Sequence, residues 1–388
     1  MRELFFTALI CAGLSACGSS GTNVSAPPPP PPPPAPLALT IGGLAANANV
    51  FDPAPVQAAG DTSIWMSFSH VTPTTVDPRL NDVNTRIASS TDGGASWQDS
   101  GGFITAAQAA TAPAPHSTKP ARWTHEVSRL TYDPHVAGGQ WILLWHRYLS
   151  AFDAATGGLL RLFEHGWIGL KIAASPAGLS TAPERKLFVG SLYSNVNDSV
   201  LGPPEFRLDH LFPGSAKLGS CLVFTEPAVL VSAAGVYITV KCAQGAAGGK
   251  ISSLRCDHAF SAGSCSYLGD FLSDGEAAGL NSSWSGFSAP ELVSTSSSNW
   301  LIVTPTQGGA DVYRGCLLMR ISSLDTATVT RSGGAPVVET SIAPSGDFNG
   351  ACGYAPSLTA SGIIVGQATF GAPPGFGLLA TRVFPPNY

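Results

Sequence analysis

The sequence predicts an all-β fold, and more narrowly a five-bladed β-propeller that is closed by an N-terminal strand. Of the 388 residues, 43 are Gly and 32 are Pro, and both residue types interrupt helices. Short apolar runs separated by turn residues fill the chain from residue 37 onward, and one hairpin pattern recurs five times. Because four antiparallel strands repeated about an axis make propeller blades, five copies predict five blades.

The composition limits the partners that the protein can have. The formal net charge is −5 and only 20 residues are Lys or Arg, which excludes the basic surface that a nucleic-acid backbone requires. A hydrophobic content of 44% excludes a largely disordered chain. The eight His residues show no metal-ligand spacing, so neither a metal site nor a cofactor is predicted. The chain is expected to be a monomer.

Residues 1–16 have the features of an export signal. Arg2 precedes an apolar run, 4–10, that is too short to span a membrane as a helix. The segment 14–17, of sequence LSAC, resembles the lipobox of bacterial lipoproteins, which implies cleavage before Cys17 and its lipidation, for example with palmitate. The resemblance to Gram-negative lipoproteins also implies a lipid anchor in the outer membrane or at the cell surface. The alternative is an ordinary signal peptide cleaved at the same place.

Residues 17–36 predict a tether between this signal and a folded domain at 37–388. Gly and Ser open the tether, and eight consecutive prolines from Pro27 to Pro34 follow. Such a run adopts the extended polyproline II helix. A spacer at the membrane is the interpretation, and a ligand for a proline-binding domain is the alternative.

Each of the five repeats begins with an apolar strand, turns within a few residues, and continues into a strand rich in aromatic and β-branched residues. A third strand candidate follows in each repeat. The predicted first-strand segments, each counted with the residue that precedes its strand, are 52–56, 126–130, 226–230, 289–293 and 355–358. The predicted third strands are 85–89, 167–174, 250–255, 316–322 and 378–384.

The spacing of the repeats leaves two alternatives. The second and third repeats start 100 residues apart, enough to hold a sixth blade, but we interpret the surplus at 191–220 as an inserted loop. A pair of β-sandwich domains is the other alternative, and it does not explain five similar hairpins. The fifth repeat has little chain after its third strand. Leu37–Ile41 precedes the first repeat, so we expect it to pair as the outer strand of the last blade.

The segment 90–97, of sequence STDGGASW, fits the pattern Ser-x-Asp-x-Gly-x-x-Trp. Ser90 and Asp92 carry oxygens that can accept backbone N–H bonds in a tight turn. Gly94 can take a positive φ, and Trp97 can bury its ring between sheets. The motif resembles the Asp-box, or BNR repeat, of sialidase-like propellers. In that family the box is structural, so Asp92 is not counted as catalytic.

Acidic residues occupy one position in successive repeats. Asp52, Glu126 and Glu226 precede the first three predicted first strands, and Ala289 and Ala355 take this position in the last two. Because the first strand of a blade lines the central channel, we expect the three carboxylates to converge at the channel mouth.

This order of acids resembles that of five-bladed glycosidases of the arabinanase, β-xylosidase and invertase type. The resemblance implies that Asp52 is the base or nucleophile, Glu126 the carboxylate that tunes a pKa, and Glu226 the general acid. Those enzymes usually have Asp rather than Glu at the second position. The alternative is that the acids accept backbone N–H bonds and only hold the ring together.

Further residues near the predicted strand ends suit sugar recognition, since aromatic faces stack on sugars and Arg forks bind hydroxyls. These substrate-binding candidates are Trp123, His125, His146, Arg147, Glu291 and Tyr354.

The leading hypothesis is a lipoprotein with a glycosidase-like propeller that binds a carbohydrate in the axial funnel and hydrolyses it. A non-catalytic propeller that binds a protein or a glycan is the alternative. An exo-sialidase is a second alternative. The nearest match to the sialidase Arg-Ile-Pro motif is Arg-Ile-Ala at 86–88, on the strand that leads into the Asp-box rather than early in the first blade.

Six cysteines remain after the signal and the lipidated position, and an even number in an exported chain predicts disulfides. Proximity within hairpins and between neighbouring blades favours three pairs, with Cys242–Cys256 as a competitor. The three pairs are Cys221–Cys242, Cys256–Cys265 and Cys316–Cys352.

Overall fold

The computed structural model describes most of the chain from residue 35 onward, and the statements below concern the described residues. They are 35–45, 48–73, 80–112, 120–153, 158–193, 221–245, 248–261, 263–308, 312–369 and 375–386. The predicted signal peptide, Cys17 and all but the end of the tether lie outside them, as does most of the predicted inserted loop. Those assignments stay predictions.

Twenty-five strands make up almost all of the regular structure. In chain order they are β1 (Leu37–Leu39), β2 (Ile41–Gly42), β3 (Asn49–Val56), β4 (Ile64–Pro73), β5 (Asn81–Ser90), β6 (Trp97–Asp99), β7 (Gln108–Thr111), β8 (Pro120–Asp133), β9 (Gln140–Asp153), β10 (Gly158–Ala173), β11 (Arg185–Phe188), β12 (Val223–Ser232), β13 (Gly235–Ala243), β14 (Gly249–Cys256), β15 (Ser266–Ser273), β16 (Gly286–Ser294), β17 (Asn299–Thr306), β18 (Cys316–Ser323), β19 (Thr328–Val329), β20 (Arg331–Ser332), β21 (Ala335–Pro336), β22 (Thr340–Ile342), β23 (Phe348–Gly353), β24 (Ile364–Thr369) and β25 (Gly375–Ala380).

The main sheets are five, and each is a propeller blade. From the channel outward, blade 1 is β3-β4-β5-β6, blade 2 is β8-β9-β10-β11 and blade 3 is β12-β13-β14-β15. Blade 4 is β16-β17-β18-β19, and blade 5 is β23-β24-β25-β1. Strand β7 adds to the inner edge of blade 2, and β2 runs parallel to β6. The five-bladed prediction is confirmed, and the described residues form neither a sixth blade nor a pair of sandwiches.

The ring is closed as the sequence predicts. Strand β1 pairs antiparallel with β25, so the N-terminal strand supplies the outer strand of the last blade. Leu37 lies opposite Ala380 and Leu39 lies opposite Leu378. Pairing with β1 covers the edge that β25 would otherwise leave open.

A β-bulge interrupts every inner strand, and one residue of each bulge has a positive φ. The five residues have φ of 43–53° and are Asp52, Val127, Glu226, Ala289 and Ala351. These bulges are the structurally equivalent positions of the five blades.

The bulges correct the sequence alignment in two repeats. In blade 2 the equivalent of Asp52 is Val127, and Glu126 precedes it by one residue. In blade 5 the equivalent is Ala351, because the inner strand ends at Gly353, before the predicted first strand at 355–358. All five positions lie inside their strands, not before them.

The core lies between adjacent blades. One apolar cluster joins blades 1, 4 and 5, with Phe68, Trp97 and Trp300 among its members. Other clusters join blades 2 and 3, blades 3 and 4, and blades 1 and 2. Burial of large apolar side chains on both faces of each sheet drives the packing of the ring.

The three predicted disulfides are confirmed. Cys221–Cys242 and Cys256–Cys265 lie within blade 3, and Cys316–Cys352 ties blade 4 to blade 5. The competing pair is not formed, because Cys242 and Cys256 each have another partner.

The turn at 90–97 has the hydrogen bonds that its sequence predicts. The Ser96 N–H donates to Asp92 Oδ1 at 2.9 Å, and the Gly94 N–H donates to Ser90 Oγ at 3.0 Å. Gly94 has a φ of +85°, and Trp97 is buried in the cluster between blades 1 and 5. These contacts are structural, while membership of the Asp-box class stays a prediction.

Helices are few. A 3₁₀ turn spans Ala177–Ser180, and helix α1 spans Asp274–Leu280 with a capping box between Ser273 and Glu276. Within the described part of the chain, no helix is both long enough and apolar enough to cross a membrane.

Candidate active site

A cavity of about 240 Å³ opens at one mouth of the central channel, and we call it the acid cavity. Asp52, Glu126 and Glu226 all line it, from blades 1, 2 and 3. The structure therefore brings the three predicted acids together, although Glu126 is not at the bulge position of its blade. The bulge residues of blades 1 to 3 and the residues just before the bulges of blades 1 to 4 line this mouth, which is why neighbouring blades deliver their side chains to one place.

Asp52 is held by its own blade and by the next. Its Oδ2 accepts hydrogen bonds from Ser69 Oγ at 2.7 Å and from the Val127 N–H at 3.1 Å. Burial raises the pKa of the Asp52 carboxyl, and the charge of Glu226 adds to this effect. The Ser69 hydrogen bond, the Arg129 charge and the Val127 N–H all lower this pKa.

Glu226 of blade 3 makes the corresponding contact with blade 4, two blades further around the ring. Its Oε2 accepts hydrogen bonds from the Ala289 N–H at 2.7 Å and from the Ser288 hydroxyl. Its Oε1 accepts one from the Tyr313 hydroxyl. Both oxygens of Glu226 are therefore occupied by donors of blade 4.

Glu126 has a different environment. Its carboxyl shares a hydrogen bond with the Tyr148 hydroxyl of β9, and the Arg161 charge acts on it from β10. Burial raises the pKa of Glu126 to about 8, and the charges of Asp52 and Glu226 contribute. A carboxyl with this pKa keeps its proton near neutral pH.

Among the sugar-binding candidates, His146 lines the acid cavity. Burial lowers the pKa of its imidazole to about 3, so His146 is neutral there. Its ring lies 4.8 Å from that of Tyr148 and 5.4 Å from that of Phe163. His146 can therefore offer a neutral ring edge to a ligand.

Three other candidates are buried inside blade 2 and lie outside the described lining of the cavity. The Arg147 guanidinium is sandwiched between Trp123 and Trp167, 4.6 and 4.4 Å from their ring centroids. Arg147 also pairs with Glu184 at 3.2 Å. His125 is 1% exposed, and burial holds its pKa well below the usual value. Their side chains hold the blade together rather than face the channel mouth.

The last two candidates lie at the other mouth. Glu291 and Tyr354 line a second cavity of about 300 Å³, which we call the far cavity. The inner-strand residues that follow the bulges line it, for example Pro55 and Leu130. A side chain beyond the bulge points away from the acid cavity, so the prediction of one shared funnel is wrong for these two residues.

Several residues that line the acid cavity were not predicted from the sequence. Tyr148, Arg161 and Tyr313 line it, and Phe348 and Phe376 supply an aromatic wall. Most of them belong to second, third or connecting segments of the blades, so the pattern of first strands carries no signal for them. Phe348 could have been predicted from the sequence, because the correct alignment of the repeats places it in the first strand of blade 5, before the bulge.

No cluster of three or more His, Cys, Asp or Glu side chains in the described ranges is arranged to hold a metal ion.

No family model matches the sequence, and no curated protein matches it. Solved structures do match in fold. A glycoside hydrolase matches with a TM-score of 0.50 at 9% identity, over 92% of this chain and 94% of the other. A thermostable family-43 glycoside hydrolase matches with a TM-score of 0.48 at 12% identity, over 90% and 97%. An endo-arabinanase from Bacillus licheniformis matches at 0.46 and 12%, over 86% and 93%. At these identities the likeness concerns the fold, and this chain shares its propeller architecture with the first of these glycoside hydrolases.

Proposed function

We propose that the protein is a glycoside hydrolase that cleaves a carbohydrate in the acid cavity. The observation that carries the proposal is the convergence of three carboxyls with unlike environments on one cavity. Glycoside cleavage needs one protonated carboxyl at the leaving oxygen and one carboxylate that attacks or activates water. Environments that push the pKa values of neighbouring carboxyls apart supply such a pair.

The contacts favour Glu126 as the general acid. Its pKa of about 8 leaves it protonated at neutral pH, although the Arg161 charge and the Tyr148 hydrogen bond both act to lower that pKa. Asp52 then acts as base or nucleophile, with Ser69 and the Val127 N–H orienting its carboxylate. Glu226, whose two oxygens are already occupied, contributes the negative charge that helps Glu126 keep its proton. This assignment exchanges the roles that the resemblance to five-bladed glycosidases implies for Glu126 and Glu226.

One observation favours the second candidate, a propeller that binds a glycan or protein without cleaving it. Asp52 and Glu226 each accept the bulge N–H of the following blade. These bonds stabilise the ring whether or not a reaction occurs, since a buried N–H without a partner is costly.

The exo-sialidase alternative is less well supported. Sialidases use several arginines for the substrate carboxylate, and Arg161 is the one arginine among the described lining residues of the acid cavity.

Hydrolysis is tested with a panel of aryl glycosides and polysaccharides, with binding measured by calorimetry on the same ligands. Glu126→Gln should lower kcat at least 100-fold on substrates with poor leaving groups and spare binding, because the amide cannot donate an acid proton. Asp52→Asn should lower kcat for every substrate. The control is Asp92→Asn, in the turn at 90–97. Binding of a glycan without turnover by the unmodified protein would rule out the hydrolase and favour the second candidate.

We further propose that Cys17 is lipidated and anchors the protein in the outer membrane or at the cell surface. The lipobox-like segment 14–17 supports this proposal. Labelled palmitate should enter the protein and should be absent from a Cys17→Ser variant, which should also leave the membrane fraction. Equal labelling of both proteins would contradict it.

A further inference from the structure

A buried ion pair crosses the channel beneath the acid cavity, and the reaction described above does not use it. Arg129 is 0% exposed and lies on β8, just past the bulge of blade 2. Its Nε is 2.6 Å from Glu291 Oε2 on β16. Its Nε and Nη2 also donate to the Pro290 carbonyl at 3.4 and 3.3 Å. Because blade 3 separates blades 2 and 4 in the ring, this side chain spans the axis.

The pair lies between the two cavities. Asp52 lines the acid cavity and Glu291 lines the far cavity, while Arg129 lines neither in the described part of the chain. The guanidinium is thus enclosed between the two mouths. A charge in such a place acts strongly on its neighbours, because little water screens it.

Among the acids that line the acid cavity, Asp52 is the one on which this charge acts. The groups that face Asp52 are the Ser69 hydroxyl of β4, the Val127 N–H and Arg129 of β8, Glu126 of the same strand, and Glu226 of β12. Burial, together with the charges of Glu226 and Asp52, also raises the pKa of Tyr313, which lies in the segment after β17. Two of these groups are acids, and Arg129 is the cation among them. Without it, burial and like charges would favour protons on Asp52 as well as on Glu126.

We propose that Arg129 is a positioning residue for this hydrolysis: Glu291 and the Pro290 carbonyl hold its guanidinium across the channel, where its charge keeps Asp52 anionic. The inference rests on the proposed function. It separates the two carboxyls that glycoside cleavage needs, since the Arg129 charge acts on Asp52, whereas burial and the charges of Asp52 and Glu226 outweigh the Arg161 charge at Glu126. Glu291 acts through Arg129 and is not among the described residues that line the acid cavity.

The competing explanation is that the pair only braces the ring. A buried ion pair is weak evidence for stability, and apolar residues of similar volume often replace one without loss. This property supplies the test variant. The double change Arg129→Met with Glu291→Met removes both charges and leaves no unpaired buried ion.

The first readout is the pH profile of kcat/KM. Asp52 must be ionised, so its pKa sets the acidic limb. Removing the cation raises that pKa, so the double variant should move the limb upward by about 1–3 pH units, the usual effect of an adjacent Arg. Glu291→Gln keeps the guanidinium and removes only its counter-charge, so its limb should stay in place or move down. The proposal would be overturned if the acidic limb of the kcat/KM profile stayed at the same pH in the folded double variant, or if it moved to higher pH in Glu291→Gln.

The second readout does not need activity. Infrared titration of protein labelled with ¹³C at Asp carboxyls reports the ionisation of Asp52, which the difference from Asp52→Asn identifies. Its band should titrate at higher pH in the double variant than in the unmodified protein. If the protein hydrolyses no glycoside, the proposed function fails, but this titration still decides the role of Arg129. An Asp52 band that titrates at the same pH in both proteins sinks the inference.

Discussion

The raised pKa of Glu126 makes a quantitative prediction about stability. The pKa of this carboxyl rises from 4.5 in the unfolded chain to about 8 in the folded protein. Below pH 4.5 both states are protonated and Glu126 contributes nothing to the pH dependence. Between pH 4.5 and 8 only the unfolded chain ionises, so the free energy of unfolding falls as the pH rises. Above pH 8 the folded protein carries the full cost of a buried charge.

The size of the effect follows from the shift. One pKa unit corresponds to about 1.36 kcal/mol, so a rise of this size disfavours folding above pH 8 by roughly 3–5 kcal/mol. The lower figure allows for Asp52, because the charge of Asp52 is one of the causes that raise the pKa of Glu126. Glu126→Gln carries no ionisable group, so it lacks this penalty.

The assay is urea unfolding at pH 5, 7 and 9, followed by tryptophan fluorescence. The stability advantage of Glu126→Gln over the unmodified protein should be at most about 1 kcal/mol at pH 5 and should grow to roughly 3–5 kcal/mol at pH 9. Asp92→Asn, in an exposed turn, is the control for charge removal. Parallel curves for the Glu126 variant and the unmodified protein would refute the argument that Glu126 is protonated when folded.

Three further predictions concern the scaffold. A chain that begins at Thr40 lacks strand β1 and should be less stable than one that begins at Pro36 by about 2–4 kcal/mol, because it loses the pairing with β25 and the half-buried Leu39. Urea unfolding of the two chains measures this difference. Equal unfolding midpoints would contradict closure of the ring by β1. Asp92→Ala should cost about 1 kcal/mol in the same assay and leave activity per folded molecule unchanged, whereas a folded but inactive variant would show that the turn is not merely structural. Replacing the Cys316–Cys352 bridge by two alanines should lower stability by about 2–5 kcal/mol, and no change in melting temperature would mean that the bond between blades 4 and 5 is dispensable.

The fold could be predicted from the sequence because its signals are local. Each hairpin shows its two strands and its turn within about 20 residues, and the orphan segment Leu37–Ile41 follows from the need to cover an edge. The disulfides were predictable for a related reason, since each pair joins strands of one blade or of neighbouring blades.

The register of the inner strands was harder to predict, since a bulge adds one residue and changes which side chain faces the channel. Pro follows the positive-φ residue at Asp52, Glu226 and Ala289, and a Pro inside a strand is a sign of a bulge. Aligning the repeats on this feature marks the equivalent position in three blades. In the other two, Val127 and Ala351 are followed by Ser and Cys, so the sequence has no such mark there.

The side chains that complete the acid cavity could not be predicted from the first strands. Tyr148 and Arg161 come from the long hairpin of β9 and β10, and Tyr313 comes from a segment that follows β17. Their position depends on how the blades pack, which no short pattern records. The same packing decides which mouth of the channel Glu291 and Tyr354 reach.

The hydrogen bonds of Asp52 and Glu226 to the next blade have an evolutionary consequence. A descendant that lost its enzymatic activity would still need both acids to keep the ring intact, so selection for folding alone would retain them. Glu126 makes no such hydrogen bond to the bulge of the next blade, and ionisation of its buried carboxyl lowers the stability of the folded protein at alkaline pH. We expect Glu126 to drift first once catalysis is no longer under selection. In homologous chains, an acid at this position would therefore be a better mark of a working enzyme than the two acids at the bulges.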